Sequence, residues 1–275
     1  MHDHPNMTEL LSRELAHPFH KDPTGYLDAH PEIEQQAFRP SPVRVIRTAG
    51  SGILKDPDQW ADQLATYVQK LKQENGDGQE IEVEMTAHDT CGAGGLKRPG
   101  QTDTDNLAHA DIEDLTARLV QRGVHAACPR KRFPMNGLSV HNALGVTIDL
   151  TEGCRLQCPP FNSFTLSSPD LDALPAEALT AGQISSKPAE ENGHSYGNVL
   201  VDTKAPYTYL VYVEPDKEKE SAPRIKAIQD AIEPLRAKGV ATRIIIRHAP
   251  AASQRIPVRK VVVVCMDERC NAIQK

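Results

Sequence analysis

Apolar residues recur at two periods along this chain, and the two alternate. Residues 43–47 (Val-Arg-Val-Ile-Arg) and 81–87 read as strands, with a helix over 58–72 between them. In that helix Trp60, Leu64, Tyr67, Val68 and Leu71 recur at three-to-four spacing. Strand, helix, strand over so short a stretch predicts a βαβ unit with parallel pairing. A second helix is predicted over 111–122, stopped by Gly123. Further on, 145–150 and 207–213 read as strands, 222–238 as a helix, 242–247 as a strand and 260–264 as a last strand. Four consecutive valines, Val261 to Val264, are the pattern of a strand buried on both faces. The expected fold class is therefore α/β, a mostly parallel central sheet flanked by helices. No repeat of fixed period is visible.

Two regions lack this clarity. Residues 1–42 carry one short apolar cluster, Leu10, Leu11 and Leu15, and are otherwise rich in His, Pro and Asp. They are expected to form an N-terminal arm tied down by a neighbouring surface. The remainder, 43–275, is expected to be one α/β domain with a loop-rich insertion over about 124–198, where Pro, Gly and Ser dominate.

Composition narrows the function. At 275 residues, 39% hydrophobic and 25% charged, the chain has the make-up of a soluble globular protein. A net charge of -6 argues against a nucleic-acid partner, and the run Arg130-Lys131-Arg132 is too short to reverse that. No stretch approaches the roughly 20 apolar residues of a membrane span. The first residues have no apolar core of a secretion signal, so a cytoplasmic location is expected. Six cysteines in a chain this long do not suggest a disulfide scaffold, so thiols available to metal are the default.

The chemistry concentrates at strand ends. His88-Asp89-Thr90-Cys91-Gly92 follows the strand at 81–87, and Cys265-Met266-Asp267-Glu268-Arg269 follows the strand at 260–264. One imidazole, two thiolates and an Asp–Arg pair suit a mononuclear zinc site with one exchangeable position. Gly92 permits the tight backbone that lets a His and a Cys three apart face one ion.

These two motifs, with Val45-Ile46-Arg47-Thr48-Ala49-Gly50 on a neighbouring strand, resemble the β-class carbonic anhydrases, and the strand at 260–264 is expected to lie centrally, flanked by 43–47 and 81–87. Cys265, Asp267 and Arg269 match that family's C-x-D-x-R motif. His88, Cys91 and Gly92 match its H-x-x-C-G motif, and 45–50 match its V-I-R-N-A-G-like segment, with Thr48 where Asn is usual. The order differs: the family's first motif stands last here, as a circular permutation would leave it. The resemblance covers 43–95 and 258–272. It implies that Cys265, His88 and Cys91 hold Zn²⁺ and that Asp267 alternates with water at the fourth position. Arg269 would hold Asp267 off the metal by a bidentate pair. The implied reaction is reversible hydration of CO₂ to bicarbonate by hydroxide on the zinc. The implied assembly is a homodimer or higher homo-oligomer. The aromatic and Gln residues that family members contribute from a dimer partner are not found. Two alternatives are a hydrolase of another small electrophile, such as carbon disulfide, and a zinc-binding homologue without activity.

Other motifs carry less. Cys154 and Cys158 begin a radical-enzyme cluster pattern, but Phe161 stands where the third cysteine is needed. The two could still form a second metal site. His248 also ends a strand and could line a site. Gly92-Ala93-Gly94-Gly95 lacks the Lys-Ser/Thr of a phosphate loop, and no G-x-S-x-G elbow occurs.

Overall fold

The computed structural model describes residues 12, 15–76, 78–86, 92–101, 103–129, 143–186, 197–251 and 256–266. The chain opens with three short helices, α1 (Pro18–Lys21), α2 (Pro23–Ala29) and α3 (Pro31–Ala37). Strand β1 (Val43–Thr48) follows and runs into a 3₁₀ turn, Ala49–Gly52. Next come α4 (Pro57–Asn75), β2 (Glu82–Met85), α5 (Gly92–Lys97), α6 (Thr104–Gln121) and the two-residue β3 (Ala126–Ala127). Then come β4 (Gly145–Asp149), β5 (Phe164–Ser167), α7 (Leu174–Ser186), α8 (Gly197–Thr203) and β6 (Tyr207–Val213). The chain continues through α9 (Glu218–Ala231), α10 (Glu233–Ala237), β7 (Thr242–His248) and β8 (Lys260–Cys265). The eight strands form one sheet in the order β3-β2-β8-β1-β5-β4-β6-β7, parallel except where β1 meets β5.

Local chemistry accounts for the boundaries. The Asp56 carboxylate caps α4 by accepting the Gln59 N–H at 2.9 Å, and Pro57 fills a position that needs no N–H. Gly76, in the left-handed region, ends the helix. Trp60, Leu64, Tyr67, Val68 and Leu71 are all buried, as their spacing requires. The helix expected over 222–238 is instead two, α9 and α10, because Pro234 stands in the first turn of the second and cannot continue the first. Within 124–198, two elements stand out that hydropathy did not predict. β5 is buried along its whole length, and α7 packs under β4 and β5.

The last strand lies where its four valines require. β8 pairs in parallel with β1, Thr48 beside Cys265, and with β2, Met85 beside Val263. Val261 and Val263 join the main core, while Val262 and Val264 pack with Val45 on the opposite face. Asn75 at the end of α4 steadies the approach to β8. Its amide donates to the Val258 carbonyl and its oxygen accepts the Val258 N–H.

The sheet is two four-stranded halves wound alike. Read outward from the β1–β5 junction, the first half runs β1-β8-β2-β3 and the second β5-β4-β6-β7. In each, the junction strand crosses over the central strand to reach the third, and the third leads to the edge. The difference lies in the central strand: β4 comes before its partners in the chain, and β8 comes after. The absence of a sequence repeat therefore conceals a repeat of winding. Arg47, fully buried, ties the halves together by donating to the carbonyls of Leu156 (3.1 Å) and Gln157 (2.7 Å).

The arm packs on the second half. Phe19, Leu27, Ala37 and Phe38 cluster with Leu156, Leu210 and Tyr212. Arg247 of β7 holds Glu34 bidentately and reaches Asp28. Among the described residues, no helix is long and apolar enough to cross a membrane.

Candidate metal centre

Cys265 ends the central strand of the first half and is 2% exposed. Three neighbouring strands converge there. The Thr48 carbonyl at the end of β1 accepts the Met266 N–H at 2.9 Å. Thr86, just past β2, donates its N–H to the Val263 carbonyl at 2.9 Å. From the second half, the Thr165 N–H of β5 donates to the Met266 carbonyl at 2.7 Å.

The 3₁₀ turn after β1 closes over the sulfur. The Gly50 N–H donates to Cys265 Sγ at 3.2 Å. Gly50, Ser51 and Gly52 all have positive φ, at 59°, 57° and 95°. The left-handed conformation costs a side-chain-bearing residue about 1–2 kcal/mol, so Ser51 holds it against a preference. Its hydroxyl compensates by donating to the Thr86 carbonyl at 2.7 Å, which joins the ends of β1 and β2. A side chain at Gly50 would meet Ala93 at 2.8 Å, so the start of α5 lies directly against the turn.

Cys265 is the one proposed site residue within the described set. His88, Cys91, Asp267 and Arg269 lie outside the described residues. Their described neighbours, Thr86 and Ala93 on one side and Met266 on the other, all stand at the Cys265 end of the sheet. Among the described residues no group of three His, Cys, Asp or Glu could hold a metal ion. Of the donors that the sequence suggests, Cys265 is the one described: a buried sulfur at a parallel-strand end that accepts a backbone N–H, an arrangement compatible with a metal-bound thiolate.

Among the described residues, Cys154 and Cys158 do not form the second metal site that their spacing allowed. Cys158 is disulfide-bonded, contrary to the expectation of reduced thiols, and so cannot be a thiolate ligand. Cys154 is buried, and burial first, then the Asp149 carboxylate, pushes its thiol up to about 12. His248 is half exposed beside Glu218 at 3.5 Å, on the edge strand four strands away from β1, and does not join Cys265.

The counterpart of Cys265 in the second half is Asp149. Thr48 stands beside Cys265, and Ser167 stands beside Asp149, each at the end of its central strand. The Asp149 carboxylate accepts the N–H groups of Thr151 (2.9 Å) and Leu156 (2.8 Å), with Ser167 Oγ at 3.4 Å. These bonds occupy the carboxylate, so this end of the sheet is closed by hydrogen bonds.

Sequence reasoning missed Glu177. It is 7% exposed on α7, accepts the Ala49 N–H at 3.4 Å and pairs with Lys55 at 2.8 Å. It sits in an otherwise Ala- and Leu-rich helix; a lone acid on such an apolar face was the available signal. Comparison with protein-family models, with characterised proteins and with solved structures finds no match to this chain.

Proposed function

We propose that Cys265, His88 and Cys91 bind Zn²⁺ and that the protein hydrates CO₂ reversibly at that ion. The observation that carries this reading is the position of Cys265. It is buried at the end of a central parallel strand, between the two strands that lead into the other motifs. The strands that lead into the two motifs are far apart in the chain, and the sheet sets them side by side. The strand order of the first half, with its central strand last in the chain and the second half as its unpermuted counterpart, supports a permuted relative of the β-class carbonic anhydrases.

Zinc, when bound, acidifies a coordinated water and polarises substrate oxygen. The chain's own groups do the rest. Asp267, two residues past Cys265, would orient the reacting water by accepting a hydrogen bond from it. Arg269 would hold Asp267 in place through a planar fork matched to a carboxylate. Val263 and Met85, on the strands that lead toward the two motifs, are fully buried, so bulk water is excluded beneath that end of the sheet.

The test is CO₂ hydration by the zinc-loaded protein across pH 7–9. Activity should rise with pH. Asp267→Ala should keep zinc and lose most of the rate, and Arg269→Ala should also lose rate. A fully loaded protein with no hydration activity at any of these pH values would leave the other-electrophile or non-catalytic reading in place of this one.

A further inference from the structure

We infer that Glu177, together with Lys55 and Ser51, is a positioning device for the metal centre: it fixes the turn whose Gly50 N–H points at Cys265. The inference rests on the zinc reading above and deepens it. Glu177 contacts neither Cys265 nor any proposed substrate position, and acts through the turn.

The geometry runs in three steps. Cys265 Sγ accepts the Gly50 N–H at 3.2 Å. Such a bond draws charge from a thiolate, and outer partners of this kind set the strength of the metal bond. Gly50 aims its N–H there from a left-handed conformation that continues through Ser51 and Gly52. A run of three such residues does not hold itself, and two anchors fix it. At the far end, Ser51 Oγ donates to Thr86, which is bonded to β8 through Val263. At the near end, the Ala49 N–H donates to Glu177.

Glu177 is kept in register by Lys55 at 2.8 Å, and Lys55 in turn lies over the Trp60 ring at 4.2 Å. Burying a carboxylate and an ammonium side by side carries a desolvation cost that an apolar pair of similar volume would avoid. The second half thus reaches across the β1–β5 junction to brace the metal end of the first half through a pair that packing alone does not call for.

The experiment measures metal affinity and metal electronic structure in the full chain. Two variants are used: Ser51→Gly, which tolerates the backbone but drops the anchor, and Lys55→Met with Glu177→Leu, which removes the pair without stranding a buried charge. Zinc affinity is read by competition with a chromophoric chelator, and the thiolate-to-metal absorption band by Co²⁺ substitution. Each variant should bind zinc about ten- to a hundredfold more weakly, with a shifted Co²⁺ band and cooperative melting retained. If one variant fails to fold, the other decides. Folded variants with wild-type affinity and an unshifted band, in a chain whose wild type binds zinc through Cys265, would overturn the positioning role alone. A wild-type chain that takes up no zinc would overturn the zinc reading and this inference with it.

Discussion

Gly50 has no room for a side chain. Its φ is 59°, and an added Cβ would fall 2.7 Å from Ile53 Cγ1 and 2.8 Å from Ala93 Cβ. Gly50→Ala combines backbone strain with overpacking, and should cost about 1–3 kcal/mol in urea unfolding. It should also lower zinc retention, because the N–H leaves the sulfur. Asp149 makes a second prediction at this scale. Burial raises its carboxyl above the ordinary range, only partly offset by its N–H donors. The folded chain therefore holds that proton more tightly than the unfolded chain. The resulting stability is complete below the usual carboxylate pKa and is lost as pH rises through the folded value. Asp149→Asn should flatten this part of the pH dependence. It should also cost about 1–3 kcal/mol, since an amide oxygen can serve only one of the two N–H groups well. Urea titrations of both proteins from pH 4 to 8 check this. An unchanged pH slope in the variant would contradict it.

At the residue scale, Cys265 and the Val45–Gly50 segment were legible because local pattern and strand end coincide. Glu177 was not, because its partner in the turn lies 128 positions away in the chain. A lone acid on an apolar helix face hints at burial, but nothing in the pattern names its partner.

The arm shows what short elements hide. Its helices run four to seven residues, below the length at which three-to-four periodicity becomes readable. The prolines that suggested irregular chain occupy first-turn positions, Pro18, Pro23 and Pro31, where proline is compatible with a helix. β5 escaped for a related reason: the apolar-polar alternation of Phe-Thr-Leu-Ser spans only four residues, too few to stand out in a loop-rich stretch. The valine run of β8, by contrast, announced its own burial. The arm also carries a pH prediction. His20 is lowered to about 4, by burial first, then by the charges of Arg243 and His17. The unfolded chain then binds this proton more readily than the folded one. Stability from a docked arm is present above the ordinary histidine pKa and declines as pH falls from about 6.5 toward 4. Limited proteolysis should cleave within the arm faster at pH 5 than at pH 7.5, and His20→Gln should blunt the difference. Equal cleavage rates at the two pH values would show that the arm does not sense this proton.

On the scale of the molecule, two halves of like winding meet at one antiparallel seam. Arg47 and Glu177 cross it in opposite directions, Arg47 to the carbonyls of 156 and 157 and Glu177 to the Ala49 N–H. Only the first half ends its central strand in a cysteine; the second ends in a carboxylate engaged by backbone N–H groups. The proposed metal chemistry belongs to one end of one half, and Arg47 and Glu177 link that half to the other. The fold class and the adjacency of β1, β8 and β2 were legible from hydropathy and motif. The repeat of winding was not, because it resides in strand order, which no residue-by-residue pattern encodes. The zinc centre requires one metal ion shared by two distant motifs. The most direct measurement is zinc per chain in the purified wild type and in Cys265→Ser. The wild type should carry close to one zinc and the variant almost none, because losing one of three protein ligands leaves too weak a site. Stoichiometric zinc persisting in Cys265→Ser, or a wild type without zinc, would contradict it.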